Sequence, residues 1–149
     1  MALEVPPTLE PMEAKPVRQL PDGPDWLLAP KYDVFRCLIL PDDQQTDLCS
    51  RRSRPLGRYF PEIVEAAHSL LVTRFVLDGE LIVPNLPFDA LQLRLYPAAS
   101  RVGKLAKEHP ACFVAFDLLA DQQGRSLQAL PFRERRAALI SFFTQESAI

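Results

Sequence analysis

The sequence predicts an α+β domain, and three observations support this fold class. Strand-like and helix-like segments alternate along the chain, with several helical segments between the strands. Residues 74–83 have the apolar composition and two-residue alternation of a strand. Residues 61–70 and 131–143 each begin with a proline and repeat apolar residues at helical spacing. With 149 residues, 48% of them hydrophobic, the chain is long enough to bury the core of one domain.

The elements follow in order from local signals. Six prolines within residues 1–25 predict an extended arm, and residues 26–149 are predicted to form the domain. In the last helix we expect Phe132, Leu139, Ile140 and Phe143 to face inward. The predicted strands are 27–29, 35–40, 46–50, 74–83 and 111–119, and the predicted helices are 61–70, 88–95, 101–109 and 131–143.

Composition excludes several classes of protein. The net charge is −2, so no global basic field attracts nucleic acid. Three cysteines without Cys-x-x-Cys spacing predict buried free thiols in a reducing cytoplasm and argue against a zinc site. Neither a signal peptide nor an apolar run of membrane-spanning length is present, which predicts a cytoplasmic protein without a membrane partner.

Basic charge is concentrated in one short segment. Arg51, Arg52, Arg54 and Arg58 lie within eight positions. Such a cluster is more often a solvated loop than a phosphate-binding site, so the cluster alone leaves both interpretations open.

One lysine has the surroundings of a nucleophile. Lys31 begins the run Lys-Tyr-Asp-Val-Phe-Arg, which resembles the Lys-x-Asp-Gly-x-Arg signature of covalent nucleotidyltransferases. In that family the lysine attacks the α-phosphate of a nucleotide and carries the nucleoside monophosphate as a phosphoramidate. A free lysine, with a pKa of about 10.4, is protonated at neutral pH, so a nucleophilic lysine needs burial or neighbouring cations.

Further segments narrow this resemblance to bacterial ATP-dependent DNA ligases, and in particular to repair ligases of the mycobacterial C class. The similarity runs from about residue 11 to residue 143 and implies a nucleotidyltransferase (adenylation) domain. The segments that carry it are 11–17, Ser-Arg-Arg-Ser at 50–53, Arg-Tyr-Phe-Pro-Glu at 58–62, Asp-Gly-Glu at 78–80, Phe-Asp-Ala-Leu-Gln at 88–92, 97–102, 113–119 and 131–136.

The resemblance implies a site. Lys31 would react with ATP, Arg36 would contact the nucleotide or the 3′ terminus of the nick, and Arg51 would contact the nucleotide. Glu80 would bind the ribose and a divalent metal ion, Mg²⁺, and Phe116 would stack on the purine. The substrate implied is nicked double-stranded DNA, sealed in repair and recombination.

The residues themselves leave alternatives. Strand alternation places Asp78 and Glu80 on one face, where paired carboxylates are costly unless a cation or donor meets them. An edge strand with its polar face in water would also explain them. Phe116 could be an ordinary core aromatic, and Arg36 and Arg51 could be exposed arginines at strand ends.

The chain departs from the family pattern close to the lysine. Ala29 stands where the family usually has a glutamate, and Val34 stands at the signature glycine. A β-branched residue is strained where glycine supplies positive φ. We therefore expect Val34 to slow adenylation of Lys31 at least tenfold. Arg52-Ser53 in place of Asn-Gly is a milder change at a predicted turn.

The resemblance also implies further elements after residue 149: a Glu-Gly strand, a Lys-x-Lys segment and an OB-fold domain. We expect the OB-fold domain to be absent and the adenylation domain to be partial, with impaired activity. Three hypotheses follow. The chain is a fragment of a DNA ligase, a non-catalytic remnant that binds nucleotide or a partner protein, or a half-enzyme that a separate chain completes.

Overall fold

The computed structural model describes residues 9–32, 35–42, 45–95 and 98–146, and these form an α+β fold as predicted. The strands are β1 (Phe35–Asp42), β2 (Gln45–Ser50), β3 (Val76–Ile82) and β4 (Cys112–Ala120), and the α-helices are α1 (Pro61–His68), α2 (Asp89–Gln92), α3 (Ala99–Glu108) and α4 (Phe132–Glu146). A short 3₁₀ turn, Gly57–Tyr59, precedes α1.

The four strands form one antiparallel sheet in the order β2-β1-β3-β4. The central strand β3 pairs with β1 through Arg36 opposite Glu80 and with β4 through Asp78 opposite Asp117. Since successive side chains of a strand point to opposite faces, the register decides which polar groups meet.

The main core lies between one face of the sheet and the helices. Side chains from β1, β3 and β4 pack there against Phe60, Ile63, Leu139 and Phe142. A smaller cluster, Leu9, Leu38, Val76, Leu119 and Ala120, covers part of the opposite face. The arm therefore contributes Leu9 to the fold, while most of residues 10–32 are exposed.

A glycine in β3 allows β3 and β4 to approach closely. A Cβ atom on Gly79 would lie 2.4 Å from the backbone oxygen of Val114 and 2.5 Å from the ring of Phe113. The β3–β4 register also shifts between Asp78 and Gly79. The Asp-Gly-Glu sequence of β3 therefore needs glycine for steric reasons at this position.

The structure corrects two predicted elements. Residues 27–29 form no strand, and Leu27 and Leu28 are 48% and 72% exposed. The predicted helix 88–95 is shorter, since α2 covers only Asp89–Gln92.

The predicted inward face of α4 was partly wrong. Ile140 and Phe143 are 58% and 38% exposed, whereas Leu139 is buried and Phe142, which was not predicted, is also buried. The buried face contains Arg135, Leu139 and Phe142, at spacings of four and three residues. The prediction considered apolar residues only, and the buried face of α4 also contains the charged Arg135.

The prediction of buried free thiols was partly wrong, and the reducing cytoplasm stays a prediction. All three thiols are free, but only Cys37 is buried, Cys49 is half-buried and Cys112 is exposed. Burial raises the pKa of the Cys37 thiol above its ordinary value, which makes that thiol a poor nucleophile. Among the described helices, none combines the length and apolar character needed to cross a lipid bilayer.

Candidate functional site

Three of the predicted site residues share the sheet face opposite the main core. Arg36 on β1 stands opposite Glu80 on β3, and the guanidinium carbon of Arg36 lies 5.2 Å from the ring centroid of Phe116 on β4. Glu80 and Phe116 are both half-buried. Since Phe116 belongs to neither apolar cluster of the described residues, it is not an ordinary core aromatic.

A carboxylate that the site prediction omitted holds Arg36 in place. Nε and Nη2 of Arg36 donate to the two carboxylate oxygens of Asp78 at 3.0 and 2.7 Å, in a bidentate pair. Asp78 is fully buried, so burial raises its pKa while the hydrogen bonds from Arg36 act in the opposite direction. The same pairing raises the pKa of Arg36.

The pair resolves the alternatives for these residues. β3 is a central strand of the described sheet, so the edge-strand explanation for Asp78 and Glu80 is wrong. Arg36 is likewise more than an exposed strand-end arginine, since its charge is shared between Asp78 and the ring of Phe116. This face therefore presents a fixed cation, a carboxylate and an aromatic ring within one small area.

Lys31 lies in an irregular segment just before β1, and its side chain is exposed. Lys31 and Arg36 are five positions apart in the chain, so their two Cα atoms are at most about 18 Å apart. Ala29 is exposed in the same segment. Val34, the other departure near the lysine, lies outside the described residues.

Arg51 lies in the tight loop that follows β2. The amide of Ser53 donates to the carbonyl of Ser50 at 2.8 Å, and the amide of Ser50 donates to the carbonyl of Arg54 at 2.9 Å. Ser53 has φ of 55°, the left-handed region that favours glycine, which confirms the predicted turn. The guanidinium of Arg51 contacts Glu13 of the arm at 3.1 Å, with both side chains largely exposed.

This loop forms one wall of a cavity of about 700 Å³, called here the basic cavity. Arg36 and Arg51 both line it, so the structure brings these two predicted residues together. Lys31, Glu80 and Phe116 are not among its lining residues. The cavity is lined by Phe35, Arg36, Ser50, Arg51, Arg52, Arg54, Pro55, Leu56, Arg58, Tyr59, Phe88 and Leu95.

Two further buried ion pairs were not predicted from the sequence. Arg135 of α4 donates to both oxygens of Asp117 at 2.9–3.2 Å and to the carbonyl of Leu130 at 2.7 Å. Arg94, only 1% exposed, pairs with Glu62 of α1. The signal in the sequence was weak, because isolated charged residues in helices are usually exposed.

The donor set of the described residues limits how a metal could bind. No group of three or more His, Cys, Asp or Glu side chains in the described parts of the chain could hold a metal ion. Magnesium, however, is often held by one or two carboxylates together with phosphate oxygens of a nucleotide. Glu80, a half-buried carboxylate on the sheet face of Arg36 and Phe116, fits that requirement.

Comparisons with known proteins agree with this geometry. Residues 11–149 match the family model described as ATP dependent DNA ligase domain. The chain is 50% identical over 146 residues to DNA ligase C2 of Mycolicibacterium smegmatis, covering 93% of this chain and 39% of that protein. It is 47% identical over 155 residues to DNA ligase C of Mycobacterium tuberculosis, covering 99% and 41%. The chain thus spans about two fifths of the length of these relatives.

Solved structures show the same relationship. A mycobacterial DNA ligase D complexed with ATP and MES is similar with a TM-score of 0.56 and 26% identity, over 78% of this chain and 36% of that one. The ligase domain of M. tuberculosis LigD is similar with a TM-score of 0.59 and 27% identity, over the same shares. The motifs, the sheet that carries them and these matches agree, and the chain belongs to the family of ATP-dependent DNA ligase domains.

Proposed function

We propose that this chain is the nucleotide-binding part of a DNA ligase, in which ATP reacts with Lys31 to give lysyl-AMP. The observation that carries the proposal is the arrangement of Arg36, Glu80 and Phe116 on one sheet face, with Asp78 fixing the arginine. A nucleotide needs a cation for its phosphate, a carboxylate for its ribose and an aromatic surface for its base, and this face offers all three.

The chemical step transfers the adenylyl group to the lysine. The lone pair of the deprotonated Lys31 Nζ attacks the α-phosphorus of ATP, a nitrogen–phosphorus bond forms and the bond to the β-phosphate oxygen breaks. Pyrophosphate leaves, and the amine proton passes to solvent. Arg36, held by Asp78, would orient the α-phosphate for this attack, and Phe116 would fix the base.

Glu80 would hold Mg²⁺ together with phosphate oxygens of the bound nucleotide. When bound, such a cation neutralises the charge that builds up as pyrophosphate departs. We propose further that the adenylyl group serves to activate a 5′-phosphate at a nick in duplex DNA, in repair and recombination. The cytoplasmic location and a separate completing chain stay predictions.

A test uses α-labelled ATP with Mg²⁺, followed by a denaturing gel. We expect the purified chain to take up label in a single turnover at most, that is, no more than one adenylyl group per chain. The Lys31→Ala variant should take up none. Lys107→Ala is a matched control, because Lys107 is an exposed lysine on α3. Acid-labile, hydroxylamine-sensitive label would identify the phosphoramidate.

A second candidate function is a non-catalytic nucleotide-binding remnant. The exposed position of Lys31 favours it, because burial is one of the factors that activate a lysine. ATP binding by equilibrium dialysis, without any label after denaturation, would support this candidate and contradict the enzymatic one. Equal label in the native chain and in Lys31→Ala would show that another residue reacts.

A further inference from the structure

The basic cavity carries more positive charge than the adenylation site accounts for. Five arginines line it, and no aspartate or glutamate is among its described lining residues. Arg36 forms an ion pair with Asp78 and is assigned to the adenylation face, and Arg51 forms an ion pair with Glu13. Within the described part of the chain, no carboxylate forms an ion pair with Arg52, Arg54 or Arg58. These three guanidinium groups therefore provide charge for an anion from outside the chain.

Another part of the cavity wall is apolar and partly aromatic. Phe88, at the N-cap of α2, is 39% exposed, and the lining residues Tyr59 and Leu95 are half-buried. The guanidinium of Arg58 lies 4.5 Å from the ring centroid of Tyr59, so the charged rim and the aromatic wall are in contact. A cavity of about 700 Å³ is large enough for one nucleotide.

Charge and aromatic surface together indicate the chemistry of the ligand. Arginines bind phosphate through paired N–H donors, and exposed aromatic rings stack on bases. A base within a duplex is stacked on its neighbours and cannot enter such a cavity, whereas an unpaired base can. A free nucleotide offers one base and its phosphates, and a polynucleotide strand offers phosphates on both sides of each base, which suits a rim of several arginines.

We propose that the basic cavity binds one unpaired nucleotide of a polynucleotide strand. The flanking phosphates lie on Arg52, Arg54 and Arg58, and the base lies against Phe88 and Tyr59. The cavity borders the adenylation face at Arg36, so an unpaired nucleotide held there adjoins the reacting end. The inference rests on the proposed function in one respect only: the proposed function makes a DNA end or nick the source of the strand.

Fluorescence anisotropy measures binding without ATP. The probes are a labelled single strand of about ten nucleotides and a blunt hairpin duplex. We expect the single strand to bind more tightly. Phe88→Leu, which keeps apolar bulk but removes the ring, should weaken single-strand binding about fivefold or more. Arg54→Ala should weaken it and reduce the slope of log affinity against log salt by about 0.7 for one lost phosphate contact.

Two control variants separate binding in the cavity from a general effect of positive charge and from adenylation. Arg101→Ala removes one exposed arginine from α3 and should leave affinity unchanged. Lys31→Ala should bind the strand with the affinity of the native chain even if it takes up no label from α-labelled ATP. The strand-binding proposal and the adenylation proposal are therefore tested independently. Circular dichroism melting of each variant confirms that it is folded.

Three outcomes would overturn the proposal. Equal affinity for the blunt hairpin and the single strand would show that no unpaired base is held. Equal losses of single-strand affinity in Arg101→Ala and Arg54→Ala would show that only the net charge of the chain matters. In the third outcome, ATP displaces the single strand at the concentration that occupies the adenylation site, and Phe88→Leu weakens this displacement. The cavity would then be a site for free nucleotide instead.

Discussion

At the scale of single residues, the geometry of the site depends on a buried carboxylate more than on the exposed lysine. Lys31 is exposed, but Asp78 is fully buried and holds Arg36 through two hydrogen bonds. A bidentate pair fixes both the position and the plane of the guanidinium. Since Arg36 also contacts the Phe116 ring, Asp78 positions a cation that a nucleotide phosphate would meet.

The first prediction concerns Val34, which replaces the signature glycine. We expect Val34→Gly to raise the rate of labelling by α-labelled ATP at least tenfold. The family signature has glycine at this position, and a β-branched residue that takes the place of a glycine with positive φ costs on the order of 1–3 kcal/mol. Initial rates at saturating ATP provide the measurement. Val17→Gly, in the exposed arm, should leave the rate unchanged. No gain in Val34→Gly would show that the valine is accommodated without strain.

The second prediction concerns Asp121, which follows β4. Partial burial raises the pKa of this carboxyl, but hydrogen bonds from the Arg125 side chain and from the amides of Arg125 and Gln123 outweigh it. The pKa of Asp121 is therefore below its ordinary value in the folded state. Its contribution to stability is present above the ordinary pKa and is lost as pH falls through the folded pKa.

Urea unfolding of the native chain and Asp121→Asn tests this linkage. We expect the native chain to be more stable by about 0.5–1 kcal/mol at pH 7, since the ion pair is near the surface. The difference should persist to about pH 4 and shrink at lower pH. Asp22→Asn, in the exposed arm, is the control and should leave the stability at pH 7 unchanged. A difference that grows on acidification would contradict the assigned sign.

At the scale of elements, the loop after β2 contains a residue poorly suited to its backbone. Ser53 has φ of 55°, and its neighbours Ser50 and Arg54 are fixed by hydrogen bonds across the loop. A non-glycine residue in the left-handed region costs about 1–2 kcal/mol. The family pattern has glycine at this position, and glycine would remove that strain. Part of the gain in stability would be offset, because glycine gives the unfolded chain a greater conformational entropy.

The third prediction is that Ser53→Gly stabilises the fold by about 0.5–1 kcal/mol. A higher denaturant midpoint, with an unchanged slope of the free energy of unfolding against denaturant concentration, would show this gain in stability. Ser141→Gly makes the same chemical change at an exposed position inside α4, where glycine should instead destabilise by roughly 0.5–1 kcal/mol. Equal effects of the two substitutions would mean that the backbone conformation of the loop does not matter.

At the scale of the whole molecule, one arginine connects the helices to the sheet. Arg94 pairs with Glu62 of α1 and donates to the carbonyl oxygens of Leu105 and His109 at the end of α3. The other contact of Glu62 is with the amide of Ala111, just before β4, at 2.9 Å. Arg94 also donates to the carbonyl of Tyr59 in the 3₁₀ turn at 3.5 Å, and Tyr59 lines the basic cavity.

The fourth prediction is that Arg94→Met destabilises the fold by about 3–5 kcal/mol, because it leaves the Glu62 carboxylate without its cation. Chemical unfolding followed by circular dichroism measures the loss. The double variant Arg94→Met with Glu62→Leu should recover a large part of it, since no charge is then stranded. A single variant as stable as the native chain would show that the pair contributes nothing.

The α+β class and the four strands of the sheet could be predicted from sequence, because alternation and proline positions are local properties. The roles of Arg36, Glu80 and Phe116 came from the family resemblance and stay predictions. The strand at 27–29, the inward face of α4 and the burial of Cys112 were predicted wrongly. Each depends on what packs against the segment, and local spacing does not report a distant partner.

The order of residues along the chain was sufficient to identify the family. The pairing of Asp78 with Arg36, and the burial of Arg135 and Arg94 in ion pairs, became visible only in the folded chain. The same holds for the basic cavity, where the arginine loop meets Phe88 and Leu95. The physical reason is that burial and charge pairing arise between residues far apart in the chain, where desolvation makes an ionic partner necessary.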